Sequence, residues 1–256
     1  MNNQFLSHYM QFPDIHIHPL LDMIDILGTI DPKNILDVGC KSGESTSLLN
    51  LRFPAANTIG IDSSEDIIRI ASDKHRNLNF RYCRSSDPLT DDYGKFDLIV
   101  SNSYIHCIER QADIIYSLID HLSSGGKLAV MIPMADRSKF YRLIHTLAKD
   151  ERWVNLSEIR CCCNLSPENY YDLLVNRCNE IKMWETLYYY PMNTPDDIID
   201  FYLGCDLHFY LDAMPDEMTH QFISELRHSI CDNYIRRPSG KIILKTPYLL
   251  FIADKK

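Results

Sequence analysis

The sequence predicts an α/β fold: a mostly parallel sheet with an antiparallel C-terminal edge and a helical cap. Three observations lead there. Short apolar runs in the first half alternate with stretches of helical spacing. The first run ends in a glycine turn, at Gly39 and Gly43, that opens a helix. Two late strand-like runs, 183–190 and 240–252, stand apart from the alternation, with helical stretches around them.

Taken in order, residues 35–38 are a buried strand ending at Gly39, and residues 43–51 follow with Leu48, Leu49 and Leu51 on a helix. Residues 58–61 are the second strand. Ser63 and Ser64 precede a helix over 65–74, where a serine caps well. Residues 80–83 and 96–100 are the third and fourth strands. A helix over 114–122 stops at Gly125 and Gly126, and residues 127–132 make a fifth strand closed by Pro133. Strands alternating with helices imply helices on both faces of a parallel sheet. Ligands of such sheets bind beyond the carboxyl ends of the strands.

Further on, residues 137–149, 167–178, 194–203 and 216–234 carry helical patterns. The two late strands finish the sheet as an antiparallel hairpin edge, with the intervening helices as a cap over the cleft. The chain reads as one domain, 1–256, with a core over 19–135, 179–191 and 240–253 and a helical cap over 136–178 and 192–239.

Composition narrows the function classes. Lys plus Arg is 26 against 35 Asp plus Glu, a net charge of −9, which argues against a nucleic-acid binder. No apolar run approaches the ~20 residues that cross a bilayer. The N-terminal stretch is polar, is broken by Pro13 and lacks a secretory pattern. The nine cysteines show no Cys-x-x-Cys pair, which reads as reduced thiols in the cytoplasm, with no metal site.

The sharpest signal is the segment Asp37-Val38-Gly39-Cys40-Lys41-Ser42-Gly43. Glycines let backbone approach a ligand, and a helix N-terminus offers free N–H groups. Asp62 ends the second strand, where an acid accepts hydrogen bonds from ribose hydroxyls. The nicotinamide fingerprint Gly-x-Gly-x-x-Gly is absent, since positions 41 and 44 are Lys and Glu, and so is a P-loop.

These segments, with the strand at 96–99 and the turn Leu122-x-x-Gly-Gly-Lys-Leu, resemble the Rossmann-like class I S-adenosylmethionine-dependent methyltransferases. Nearly end to end the chain is similar to the trans-aconitate methyltransferase family. Matching stretches include Tyr170-Tyr171-Asp172, Trp184-x-Thr186-x-Tyr188-Tyr189 and Gly240-Lys241-Ile242-Ile243-Leu244. The resemblance implies S-adenosylmethionine as cofactor and transfer of its methyl group to the carboxylate of a small acid. Such an acid titrates near ~4 and is ionised at neutral pH, so no catalytic base is expected. The cofactor positions implied are Asp37, Gly39, Cys40, Gly43, Asp62, Ser63, Arg84, Ser85, Ser101 and Asn102. His106 and Tyr189 are candidates for positioning the substrate.

The sequence departs from the family in several places. Lys41 stands where the middle glycine of the turn belongs; it reads as a tolerated substitution pointing away. Arg84 stands where the family has an acid for the adenine amino group, with Asp87 three residues on. His16, His18, His208 and Tyr248 stand at four positions where the family has arginines, and Arg84, Lys41, Arg137, Lys139, Arg236 and Arg237 remain as candidate anion ligands. Two alternatives follow: a methyltransferase for a malonyl thioester on acyl carrier protein, or a non-catalytic relative that has lost the cofactor.

Overall fold

The protein is described by a computed structural model over residues 8, 11–84, 87, 89–153, 156, 159 and 163–256. Ser85 lies outside the described residues. Seven strands form one sheet: β1 (Asn34–Val38), β2 (Asn57–Asp62), β3 (Asn79–Tyr82), β4 (Phe96–Asn102), β5 (Leu122–Pro133), β6 (Cys178–Met192) and β7 (Ile242–Lys255). Their order is β3-β2-β1-β4-β5-β7-β6. The strands β1 to β5 run parallel, with Leu36 beside Ile59 on one side and Ile99 on the other. Strand order reverses between β1 and β4, which puts a crevice at their carboxyl ends.

The late strands pair antiparallel, as expected, but they are not a hairpin. The one reversed strand, β7, lies between β5 and β6, and β6 forms the edge. Among the described residues the helices are α1 (Pro13–Leu27), α2 (Glu44–Arg52), α3 (Glu65–Lys74), α4 (Gln111–Asp120), α5 (Lys139–Leu147), α6 (Pro167–Val175), α7 (Pro195–Leu203), α8 (Leu207–Asp212) and α9 (Asp216–Asn233). Ser64 caps α3, its Oγ accepting from the Ile67 N–H at 3.4 Å.

Side-chain alternation along the strands builds two apolar layers. Leu98, Val100, Ala129, Met131, Leu250 and Ile252 face one way, into a core shared with α1, α5, α7, α8 and α9. Ile99, Leu128, Val130, Ile132, Leu249 and Phe251 face the other, against α4 and α6. The helix α6 therefore packs apart from the other helices of the expected cap. Tyr170 anchors it, donating its buried hydroxyl to Gln111 Oε1 at 2.5 Å.

The helix α1 corrects the sequence reading of a broken N-terminal stretch. Pro13 starts this helix instead of interrupting it, because the first turn needs no N–H there. Pro19, inside the helix, deprives the Ile15 carbonyl of its usual donor. The Tyr190 hydroxyl donates to that carbonyl from β6 at 3.4 Å, and Asn102 Nδ2 donates to the next one, His16 O, at 3.0 Å. Both bonds tie α1 across the carboxyl end of the sheet.

Candidate active site

The glycine turn is stitched to β2. The N–H groups of Gly39 and Cys40 both donate to Ile61 O, at 2.8 and 3.0 Å. Gly39 has φ +77°, and a Cβ there would lie 2.2 Å from Tyr104 Cγ. Gly43 has φ +93° and caps α2. Lys41, at the tip, also adopts a left-handed conformation, φ +49°. Its N–H donates to Asp62 Oδ2 at 3.1 Å, while Asp62 Oδ1 accepts from Ser64 N–H at 3.1 Å. Burial raises the Asp62 carboxyl above its ordinary range against these bonds.

Asp37 is fully buried at the end of β1. Its Oδ2 accepts from Ser45 Oγ and Thr46 Oγ1, both at 2.6 Å, from the first turn of α2. Its Oδ1 has no partner among the described residues. Burial dominates over the two hydroxyls and pushes its pKa up to about 6. Cys40 is buried beside it, its thiol raised by burial and turned toward the Lys41 carbonyl at 3.7 Å.

Two spaces open at this turn. A narrow slot is bordered by Val38, Asp62, Arg84, Asp87, Leu89 and Ile114. Beyond it lies a cavity of about 340 Å³ at the carboxyl ends of the central strands. Asp62, Tyr104 and Ile108 border both. Ser63, Lys41 and His106 border the cavity, as do His16, His208 and Tyr248, three of the four positions where the family has arginines. Phe201, Tyr202, Met134 and Pro247 supply apolar wall.

His106 stands in the short turn Ile105–Cys107 after β4, almost wholly buried. Its Nε2 lies 4.0 Å from Asp206 Oδ2, and the Tyr141 hydroxyl donates to that same oxygen. Burial opposes both charges. Cys107 and Asp206 nevertheless hold the imidazole above its ordinary range, and His106 and Tyr141 hold the Asp206 carboxyl below its own. His106 Nε2, Cys107 Sγ and an Asp206 oxygen lie within 4.8 Å of one another, near enough to share a metal ion. The same side chains make an ion pair, with Asp206 Oδ2 also accepting from Tyr141. Asp206 and Tyr141 escaped the sequence reading. The one signal was an acid in the mostly apolar stretch Phe201 to Leu211.

Several expectations are corrected. Lys41 does not point away; its side chain borders the cavity. Tyr189 is 57% exposed, with the Lys245 ammonium 5.3 Å from its ring, because strand alternation turns Tyr188 and Tyr190 inward and Tyr189 out. Ser101 and Asn102 stand behind the wall. Ser101 Oγ donates to Val38 O at 3.2 Å, Asn102 holds α1, and the next residue, Ser103, lines the cavity with φ +57°. Cys40 supports the turn without bordering either space. His18 packs on Tyr188 at 5.1 Å. Arg137, exposed, pairs with Glu185; Lys139, half-buried, donates to Asn233 O; and Arg236, exposed, donates to Asn193 O.

A group with ribose hydroxyls, an ammonium and a flat ring would fit these residues. Asp62 is an acceptor that borders both spaces, while Asp37, Gly39 and Gly43 border neither: Asp37 is fully buried, and the Tyr104 ring covers Gly39. The chain is 26% identical over 252 residues to the trans-aconitate 2-methyltransferase of Variovorax paradoxus, spanning 97% of this chain and 96% of that one. It is 28% identical over 254 residues to the enzyme of the same name from Agrobacterium fabrum, 98% of each. Among solved structures, YcgJ of Bacillus subtilis superposes with a TM-score of 0.59 at 16% identity, over 94% of this chain and 99% of that one. A methyltransferase structure from Bacillus halodurans gives 0.56 at 13% identity, over 92% and 98%. Residues 31–193 match the family model of a methyltransferase domain, and the chain belongs to that family.

Proposed function

We propose that the protein transfers the methyl group of S-adenosylmethionine to a carboxylate oxygen of a small acid, giving a methyl ester. One observation carries the reading: the strained glycine turn between two buried acids, Asp37 and Asp62, opens onto a walled cavity at the strand reversal. The full-length similarity to trans-aconitate 2-methyltransferases supports a carboxylate as acceptor.

S-adenosylmethionine, when bound, supplies an electrophilic methyl group on sulfonium. Asp62 would accept the ribose hydroxyls, and Asp37, bordering neither space, would hold the turn in place through Ser45 and Thr46. At the border of the slot, Asp87 would supply the acceptor for an adenine amino group that Arg84 cannot. The acid's carboxylate is ionised at neutral pH, so no residue needs to remove a proton. What remains is placement and dryness, which the apolar wall of Phe201, Tyr202 and Met134 would provide.

The same reading treats the chain as one domain, with α5 and α7 to α9 roofing the cleft. It places the reaction in the cytoplasm, supported by cysteines that are unpaired among the described residues. An acyl carrier protein as partner has no observation in its favour.

Calorimetric titration with S-adenosylhomocysteine tests the cofactor. Micromolar binding is expected, and methyl ester formation with acids is then followed by mass spectrometry. A folded protein that ignores millimolar ligand leaves the non-catalytic alternative in possession.

A further inference from the structure

We propose that His106, Cys107 and Asp206 form a zinc site in the cavity wall, with three protein ligands and a fourth position open to the cavity. The inference goes beyond methyl transfer and stands without it.

The first ground is the convergence of three donor atoms. His106 Nε2 lies 3.4 Å from Cys107 Sγ and 4.0 Å from Asp206 Oδ2, and Cys107 Sγ lies 4.0 Å from Asp206 Oδ1. Zinc bonds of about 2.0–2.3 Å to nitrogen, oxygen and sulfur put neighbouring ligand atoms about 3.3–3.8 Å apart. Small side-chain shifts therefore enclose an ion. Adjacent residues of a strand point to opposite faces. His106 and Cys107 instead stand in the short turn Ile105–Cys107, which brings both side chains to one point.

The second ground is the chemistry of the donors. An imidazole nitrogen, a thiol and a carboxylate oxygen suit zinc, whereas magnesium and calcium take shells of oxygen. His106 and Asp206 are almost wholly buried, and Cys107 stands at the exposed end of the set. An ion here would displace the proton of the His106–Asp206 pair and that of the Cys107 thiol. Its two charges would then be met by a thiolate and a carboxylate, with the imidazole neutral.

The third ground is the support behind the ligands. The Cys107 N–H donates to Tyr104 O at 3.0 Å, and the Cys163 N–H donates to His106 O at 2.7 Å. Across the site, the Phe209 N–H donates to Asp206 O at 3.2 Å. The Tyr141 hydroxyl donates to Asp206 Oδ2, while Oδ1 is the oxygen nearer Cys107. Such a hydrogen bond orients a carboxylate for a metal. All three ligands border the cavity, as do Cys205 and His208 on either side of Asp206. Three protein ligands beside a space are the arrangement of a zinc that takes an outside ligand.

The test uses full-length protein, stripped with a chelator and kept reduced. Zinc is titrated by calorimetry and cobalt by absorption. One zinc per chain is expected, with a Kd in the micromolar range or below. Cobalt should give a thiolate charge-transfer band in the near ultraviolet and the strong visible bands of a four-coordinate site. Cys107→Ser should abolish the thiolate band and weaken zinc at least about ten-fold. Cys107 is exposed, so this variant should keep its fold, which circular dichroism checks. Cys231→Ser, exposed on α9, should leave both readouts unchanged. Tyr141→Phe should weaken zinc about ten-fold and keep the thiolate band. Acetate, offered as an outside carboxylate, should shift the visible cobalt bands.

A folded protein that takes up no zinc at millimolar metal overturns the inference. A thiolate band that survives Cys107→Ser places the metal elsewhere and overturns it too. Cobalt bands that ignore acetate overturn the open position.

Discussion

At Asp37, two hydroxyl groups donate to one carboxylate oxygen and the other oxygen is left bare. The folded-state pKa of about 6 exceeds the ordinary 3.8, so the native chain holds this proton more tightly than the unfolded chain. The stabilising contribution is complete below pH 3.8, falls as pH rises toward 6 and is gone above it. At neutral pH the buried charge thus costs about 3 kcal/mol relative to the protonated form. Asp37→Asn should stabilise the ligand-free protein at pH 7 by up to that amount and flatten the pH dependence of urea unfolding between the two values. It should also weaken S-adenosylhomocysteine. Gly39→Ala tests the cradle from the other side. Its Cβ would meet the Tyr104 ring at a positive φ, so a loss of about 1–3 kcal/mol is expected in denaturant titration. Asp37, Gly39, Gly43 and Asp62 were legible in the sequence because one turn and the next strand end hold them all. His16, Asp206 and Tyr141 come from distant segments, and no local pattern brings them together.

Helices and strands in the first half follow the sequence closely, because each apolar run and each cap is a local signal. The misreadings arise where tertiary contact overrides the local rule. The helix α1 tolerates Pro19 because Tyr190 and Asn102 reach its carbonyls from two strands. The helix α6 has an ordinary start, with Ser166 accepting from the Asn169 N–H at 3.2 Å, but its side of the sheet is decided by Tyr170. Gln111 spends both ends of its amide there, its Nε2 donating to Cys163 O at 2.6 Å. Tyr170→Phe strips Gln111 Oε1 of its donor in a buried place. Chemical unfolding should show a loss of about 1–2 kcal/mol, with methyl transfer unaffected.

Across the whole molecule, one apolar core joins the roof to the sheet. Leu226 and Phe222 of α9 belong to the same cluster as Val100 of β4 and Leu250 of β7. The sequence reading of a cap beside a core missed this continuity, since periodicity reports which face of a helix is apolar and not what covers it. The roof should therefore melt with the sheet. Leu226, fully buried, tests this: Leu226→Ala should cost about 2–5 kcal/mol and shift a single transition, seen together by far-UV and near-UV circular dichroism. A separate early transition of the helices would show two cooperative units. By charge the molecule is acidic, at −9, and no described helix is long and apolar enough to cross a membrane.

The placement of β7 between β5 and β6 has a consequence for how the chain is made. β6 leaves the ribosome roughly 50 residues before the strand it pairs with. At about 5–20 residues per second, β5 and β6 wait for several seconds with unpaired backbone edges. During that interval the nascent sheet is a template for any passing strand. Insertion of β7 then pairs β5 and β6 in one event.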